Sequence, residues 1–164
     1  MTASVHASAV QVGDRAVLIR GPSGSGKSRL AFDLILAGRA GQLPATTLVG
    51  DDRIYLEATQ GRLVVRPARE LAGLIEIRGL GIRRCDFVET AVVGLVVDLS
   101  ATDAERLPPS DALWTTLSGV ILPRIPVGRD FQPFPMVVAA LSTRPSDDCS
   151  KGIGNHISRT IATQ

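Results

Sequence analysis

The chain has 164 residues, 45% hydrophobic and 21% charged, which suits one domain with a substantial core. No run approaches the ~18 apolar residues that cross a bilayer, and the start Met1-Thr2-Ala3-Ser4-Val5-His6 lacks the basic and apolar regions of a signal peptide. A net charge of +2, scattered basic residues and few aromatics (Trp114, Tyr55 and four Phe) do not point to nucleic acid. Cys85 and Cys149 are far apart and outside any C-x-x-C spacing, as expected of reduced thiols; a cytoplasmic protein with neither membrane nor nucleic-acid partner follows.

In chain order, residues 5–12 read as a strand, Gly13-Asp14 as a turn and 16–20 as a second strand, a hairpin that leads directly into a glycine loop. His6 is expected on the strand that pairs beside the loop-bearing one. The loop, Gly21-Pro22-Ser23-Gly24-Ser25-Gly26-Lys27-Ser28, fulfils G-x-x-x-x-G-K-[ST] at every fixed position. Its glycines let successive N–H groups converge on a phosphate, and the helix that follows adds unpaired N–H groups and a positive dipole end. Lys27 can reach the β- and γ-phosphates, and the Ser28 hydroxyl can coordinate Mg²⁺. Leu30, Ala31, Leu34 and Ile35 recur at helical spacing, with Gly38 as a candidate C-cap. Strand, glycine loop and helix together predict a site for a nucleoside triphosphate.

Residues 46–49 form the next predicted strand, ending in Gly50-Asp51-Asp52. Carboxylates at the end of a buried strand lie where open α/β sheets bind ligands. Adjacent strand residues point to opposite faces, so the two should have different roles. One would orient Mg²⁺ or water, and the other would act as general base on an acceptor hydroxyl. Residues 54–57 and 63–66 read as strands around Thr59-Gln60-Gly61, and 68–74 as a helical turn. In Ile75-Glu76-Ile77-Arg78-Gly79-Leu80-Gly81-Ile82 apolar and charged residues alternate, which places Glu76 and Arg78 on one face of an extended segment; Gly79 and Gly81 suggest close backbone approach. Residues 91–99 make a buried strand, whose Asp98 competes as a metal-orienting acid. A polar connection then carries Arg106. Residues 119–122 and 136–141 are predicted strands separated by a Pro/Gly loop holding Arg124 and Arg129, and a polar tail follows, expected to be mobile.

Taken together, His6, the Gly21–Ser28 loop, the Asp51-Asp52 pair and the near-complete L-E-I-R-G-L-G-I signature at 75–82 resemble the catalytic domain of the HPr kinase/phosphorylase family, in that family's order and at similar spacing. The resemblance covers roughly residues 5–141 and gives a domain of 1–145 with a tail of 146–164. It implies an α/β fold, a P-loop kinase core of the phosphoenolpyruvate-carboxykinase-like type with a mixed sheet and a hairpin before the loop. It further implies ATP-dependent phosphorylation of a regulatory serine on an HPr-like phosphocarrier, with Mg²⁺, and the reverse phosphorolysis that yields pyrophosphate. By position, Asp52 would be the base, Lys27 would neutralise β/γ charge, and Ser28 and Glu76 would hold Mg²⁺. Arg106, in Glu105-Arg106-Leu107, would stabilise the transferring phosphoryl group, and His6 would tune the Asp52 proton. Asp51, Arg78, Gly79 and Arg129 would complete the site, Arg129 within Pro126-Val127-Gly128-Arg129, which is similar to part of the family's phosphorolysis loop. A homo-oligomer, typically a hexamer, is implied as well.

The chain departs from the family pattern in places. Arg29 stands where an acid is common, the connection from 83 to the Asp98 strand is short, the phosphorolysis loop is cut down, and the usual N-terminal domain does not precede, as in single-domain versions of some proteobacteria. Two alternatives stand beside this. One, from the same broad chemistry, is a small-molecule kinase in which Asp98 orients the metal; the other is a non-catalytic ATP-dependent sensor.

Overall fold

The structure is a computed structural model that describes residues 3–146; the predicted tail, from Asp147 onward, lies outside the described residues. The strands are β1 (Ser4–His6), β2 (Ser8–Val12), β3 (Arg15–Arg20), β4 (Thr46–Gly50), β5 (Arg53–Thr59), β6 (Arg62–Pro67), β7 (Leu74–Ile77), β8 (Gly81–Arg84), β9 (Ala91–Leu99), β10 (Trp114–Leu117) and β11 (Val120–Val127). Two helices, α1 (Lys27–Arg39) and α2 (Pro133–Ser142), complete the described residues apart from short 3₁₀ turns. Nine strands form one mixed sheet, and β7 and β8 form a separate hairpin.

The predicted hairpin before the glycine loop is present: β2 and β3 pair antiparallel around Gly13-Asp14, with Gly13 at φ 62°. Beyond it, β3 pairs parallel with β9 and β9 parallel with β11, while β4 pairs antiparallel with β2. Two successive antiparallel steps make β4 parallel to β3. The C-terminal ends of β3, β4, β9 and β11 and the start of β2 therefore share one end of the sheet. That geometry alone brings the glycine loop and the Asp pair together.

Both faces of this sheet are covered, which is why its strands read as continuous apolar runs rather than as alternations. Val17 and Ile19 of β3 join Leu30, Leu34 and Ile35 of α1 and Val137 of α2 in one cluster. Ala16 and Leu18 face the other way, against Ile54 of β5 and Leu63 and Val65 of β6, where the sheet folds over itself. In β9 the alternation slips. Val93 and Val96 lie in the second cluster, and Leu95 and Val97 in the first, because the pairing with β3 shifts register at Gly94. This has the form of a bulge with one extra residue, at a glycine whose added Cβ would lie 2.9 Å from the Arg15 side chain.

Several expectations are corrected. Residues 5–12 are not one strand: β1 pairs with β5 through His6↔Arg53, and the chain changes partner at the buried Ala7. His6 is thus not beside the loop-bearing strand. Residues 136–141 are helical, since Pro133 sits in the first turn and Val137 and Leu141 bury one face at i, i+4. The first part of the loop predicted between 122 and 136, residues 123–127 with Arg124, is strand, and its last part opens α2. β10 pairs with only 120–123 of β11 and β9 with only 124–127, so each half keeps an open edge on which a proline's missing N–H can be tolerated. Finally, α1 runs through Gly38 to a C-cap at Ala40, with Gly41 at φ 74° beyond it.

Gly38 instead permits a close approach between α1 and β4. A Cβ there would stand 2.7 Å from Thr46 Cβ and 2.8 Å from its backbone nitrogen. Gly38→Ala is expected to destabilise the fold by about 1–3 kcal/mol despite alanine's better helix propensity, read as a lower denaturant midpoint.

Candidate active site

A cleft of about 1000 Å³ opens at the sheet end just described, lined by the glycine loop, Ser8, Asp51, Asp52, His6 and Glu76 on one flank and by 127–129 and 131–135 on the other. The loop leaves β3 at Gly21, whose φ of 155° and 3.0 Å clearance to Leu99 Cβ leave room for no side chain. Gly24 and Gly26 follow at φ 78° and 98°. Lys27 Nζ donates to the carbonyl oxygens of Gly21 (2.8 Å) and Pro22 (2.9 Å), which leaves a third N–H for an anion. Burial lowers the Lys27 pKa, against the opposing pull of Asp51 and Asp52. The Ser25 hydroxyl is buried with no hydrogen-bond partner among the described residues. Such an orphan in a phosphate-type loop fits a site that completes its bonding on an anion.

The adjacent carboxylates have opposite surroundings. Asp51 is 3% exposed. It accepts hydrogen bonds from the hydroxyls of Ser8 and Ser28 (2.8 and 2.9 Å to its two oxygens from Ser28) and, at 3.2 Å, from the Glu76 backbone N–H. Asp52 is exposed at the mouth, 3.0 Å from His6 Nε2. Its φ is 65°, and Arg53 N–H donates to Asp51 C=O across it at 2.8 Å. That is the strained, positive-φ γ-turn, the kind of backbone that persists where the surroundings over-determine it.

The signature segment is a hairpin, not one extended segment. Glu76 lies on β7, Arg78 opens the turn, Gly79 takes φ 85°, and Gly81 starts β8. Glu76 and Arg78 still both line the cleft, and an Arg78 guanidinium nitrogen lies 3.9 Å from where a Gly24 Cβ would be. Arg129 lines the opposite flank. Arg106 is exposed and does not line the cleft. Asp98 is not free for a metal. Arg20 grips it through Nε (2.7 Å) and Nη2 (2.8 Å), and Arg124 through Nε. Burial alone would push its carboxyl up, but the hydrogen bonds and charges of Arg20 and Arg124 outweigh that and hold it below the ordinary value. Arg124 also reaches Asp103 and the Ala112 carbonyl, so it clasps both ends of the loop that carries Arg106.

Sequence reasoning missed Ser8, whose signal was a lone hydroxyl in a buried apolar strand, and the Arg20–Asp98–Arg124 clamp, whose partners lie 78 and 26 residues from Asp98. It also missed the aromatic flank at 131–134.

The family model described as HPr Serine kinase C-terminal domain matches residues 1–107. The chain belongs to this family. Among curated members of the HPr kinase family, the HPr kinase/phosphorylase of Mycoplasma mycoides subsp. mycoides SC is 36% identical over 121 residues, covering 68% of this chain and 36% of that protein. That of Enterococcus faecalis is 36% identical over 177 residues, covering 96% of this chain and 54% of the relative. The chain thus spans about a third to a half of these two HPr kinases. The solved structure of the Hpr(Ser) kinase/phosphatase from Coxiella burnetii superposes with a TM-score of 0.66 at 26% identity, covering 83% of this chain and 91% of that one, which supports the mixed α/β fold. Among the described residues no helix is long and apolar enough to cross a membrane.

Three outcomes follow from the geometry. Asp52→Gly removes the positive-φ strain and should raise stability by about 0.5–1 kcal/mol in denaturant unfolding. Asp98→Ala strands two guanidinium groups in a partly buried site and should cost about 2 kcal/mol, between the exposed and fully buried limits. Because the folded Asp98 pKa is depressed, its contribution is present above the unfolded value of about 3.9 and is lost as pH falls through the lower folded value. Acid titration of stability should therefore flatten in Asp98→Asn.

Proposed function

We propose that this domain transfers the γ-phosphoryl group of ATP to a serine hydroxyl of an HPr-like phosphocarrier protein. The observation that carries the reading is the division of labour between Asp51 and Asp52. A nucleotide-binding sensor needs the first, buried against Ser28; it has no use for a second carboxylate held on a strained turn at the mouth beside an imidazole. The names of the relatives and the family match support the acceptor.

In this reading the glycine loop and Lys27 cradle the phosphates. The acceptor serine oxygen attacks the γ-phosphorus, the bond to the ADP oxygen breaks, and the serine proton passes to Asp52, oriented by His6. Phosphorolysis uses the same groups in the reverse direction with inorganic phosphate in place of ADP: a phosphate oxygen attacks the phosphorus of phosphoserine, the bond from phosphorus to the serine oxygen breaks, protonated Asp52 gives its proton to that oxygen, and pyrophosphate leaves. The oxygen set fits Mg²⁺, which takes one or two carboxylates together with substrate phosphates. Ser28 gives its proton to Asp51 and keeps its lone pairs outward, so Ser28 and Glu76 would hold the ion and Asp51 would orient the hydroxyl. When bound, Mg²⁺ neutralises charge between the β- and γ-phosphates. Arg106 would have to enter from its loop to meet the phosphoryl group. The small-molecule kinase that depends on Asp98 loses its support, because that carboxylate is consumed by Arg20 and Arg124.

The test is transfer of γ-labelled phosphate from ATP to HPr. Wild type should label a serine, and Asp52→Ala should be slower by about 10²–10⁴-fold while still binding Mg·ATP. Lys27→Ala should lose nucleotide binding itself. Absence of label with wild type, or undiminished label with Asp52→Ala, overturns the reading. Arg106→Ala should lower kcat at least about tenfold with unchanged ATP affinity if that side chain acts only on the transferring group.

A further inference from the structure

We propose that the flank of the cleft formed by Phe32, Val127, Phe131, Gln132 and Phe134 is the subsite for the nucleobase of the bound nucleoside triphosphate. The inference rests on the nucleotide-binding reading of the glycine loop and extends it to the part of the ligand that the loop does not touch.

Sheet order gives the direction. Across the loop end the strands run β4, β2, β3, β9, β11. The loop rises from the middle strand, β3. Asp51 and Asp52 follow β4, two strands to one side, and residues from Gly128 follow β11, two strands to the other. At ~4.8 Å per strand each flank is about 10 Å from the loop. The His6–Asp52 pair and Glu76 occupy the first flank, so the reacting end of the phosphate chain points there. An extended ligand anchored at its middle on the loop must carry its nucleoside towards the second flank, and the cleft is continuous in that direction.

The chemistry of the second flank suits a flat heteroaromatic ring. Phe131 and Phe134 are half-buried, packed on the helix-side core with an open side, and Phe32 joins them from α1. Their rings offer stacking faces, while Val127 is buried beneath. Gln132 is exposed, lines the cleft, and its side chain makes no cap bond to the start of α2. Its amide offers one acceptor and two donors to a base edge. The backbone turns Phe131 back over this flank: Phe131 N–H donates to Gly128 C=O at 3.0 Å, and a Cβ on Gly128 would crowd Ala104 at 3.3 Å. The acceptor flank, by contrast, presents carboxylates, imidazole and hydroxyls.

The test compares Mg·ATP with Mg·tripolyphosphate, which has the phosphate chain and no base, by calorimetry on the full chain. Wild type should bind both. Phe134→Leu keeps apolar bulk and removes the ring, and should weaken ATP about tenfold; Gln132→Ala, at an exposed position that carries no folding risk, should weaken it about fivefold. Tripolyphosphate affinity should stay within about twofold in both, whereas Lys27→Ala should lose both ligands. A fall in the ATP-to-tripolyphosphate affinity ratio in either variant supports the subsite. An unchanged ratio in both overturns it and leaves the loop reading standing. A wild type that binds neither ligand overturns the loop reading and this inference with it.

Discussion

The architecture of the cleft depends on one buried carboxylate. Asp51 draws hydrogen bonds from Ser8 at the start of β2, Ser28 in the first turn of α1 and the Glu76 backbone on β7. Four elements that are distant in sequence therefore meet on two oxygen atoms. A buried carboxylate without partners would cost several kcal/mol, so each donor is held in place by what its departure would leave behind. The β7–β8 hairpin, which belongs to no larger sheet, gains a polar anchor to the cleft in this way, and Glu76 is delivered to the cleft as a consequence. Asp51 is best understood as the element that positions the others.

The second constraint is the clamp on Asp98. Arg20 immediately precedes Gly21, and Arg124 clasps Asp103 and Ala112. One carboxylate at the end of β9 thus ties the root of the glycine loop to the loop that carries Arg106. In sequence, an acid after an apolar strand near a phosphate loop suggests metal binding. The structure gives it two guanidinium partners, and the electrostatics follow the partners rather than the pattern.

Much of this is legible in the sequence for identifiable reasons. The glycine loop and the hairpin before it follow from local chemistry, turn residues and helix spacing; Asp51 and Asp52 do have different surroundings, but β4 ends at Gly50 and the turn at Asp52, not strand alternation, separates them. The errors are non-local. A strand over 136–141 is the natural reading of Met-Val-Val-Ala-Ala-Leu, because β-branched residues favour strands in the absence of other information; packing of Val137 and Leu141 on the core decides for helix. The change of partner at Ala7 carries no composition signal, since residues on either side are equally strand-like, and only the pairing of β1 with β5 moves His6 away from the phosphate loop and onto Asp52. Prolines on both sides of Arg124 suggest a loop, whereas the half-open edges of β11 accommodate them.

The error over His6 bears on mechanism. Had residues 5–12 been one strand beside β3, the imidazole would not have been carried by the strand that pairs with β5. On β1 it is opposite Arg53, the residue that closes the turn at Asp52. The pairing of β1 with β5 therefore fixes both members of the His6–Asp52 pair: it carries the imidazole directly, and it holds the strand whose first residue bonds across the strained turn. Positive φ at Asp52 aims its carboxylate out of the mouth instead of back along β4. An acid so aimed, and so paired, is suited to exchange a proton with a group arriving from solvent, while its neighbour one residue earlier stays buried among the donors of Ser8, Ser28 and the Glu76 backbone. The positive φ and the imidazole partner thus meet on the same residue, the one carboxylate of the pair that solvent can reach.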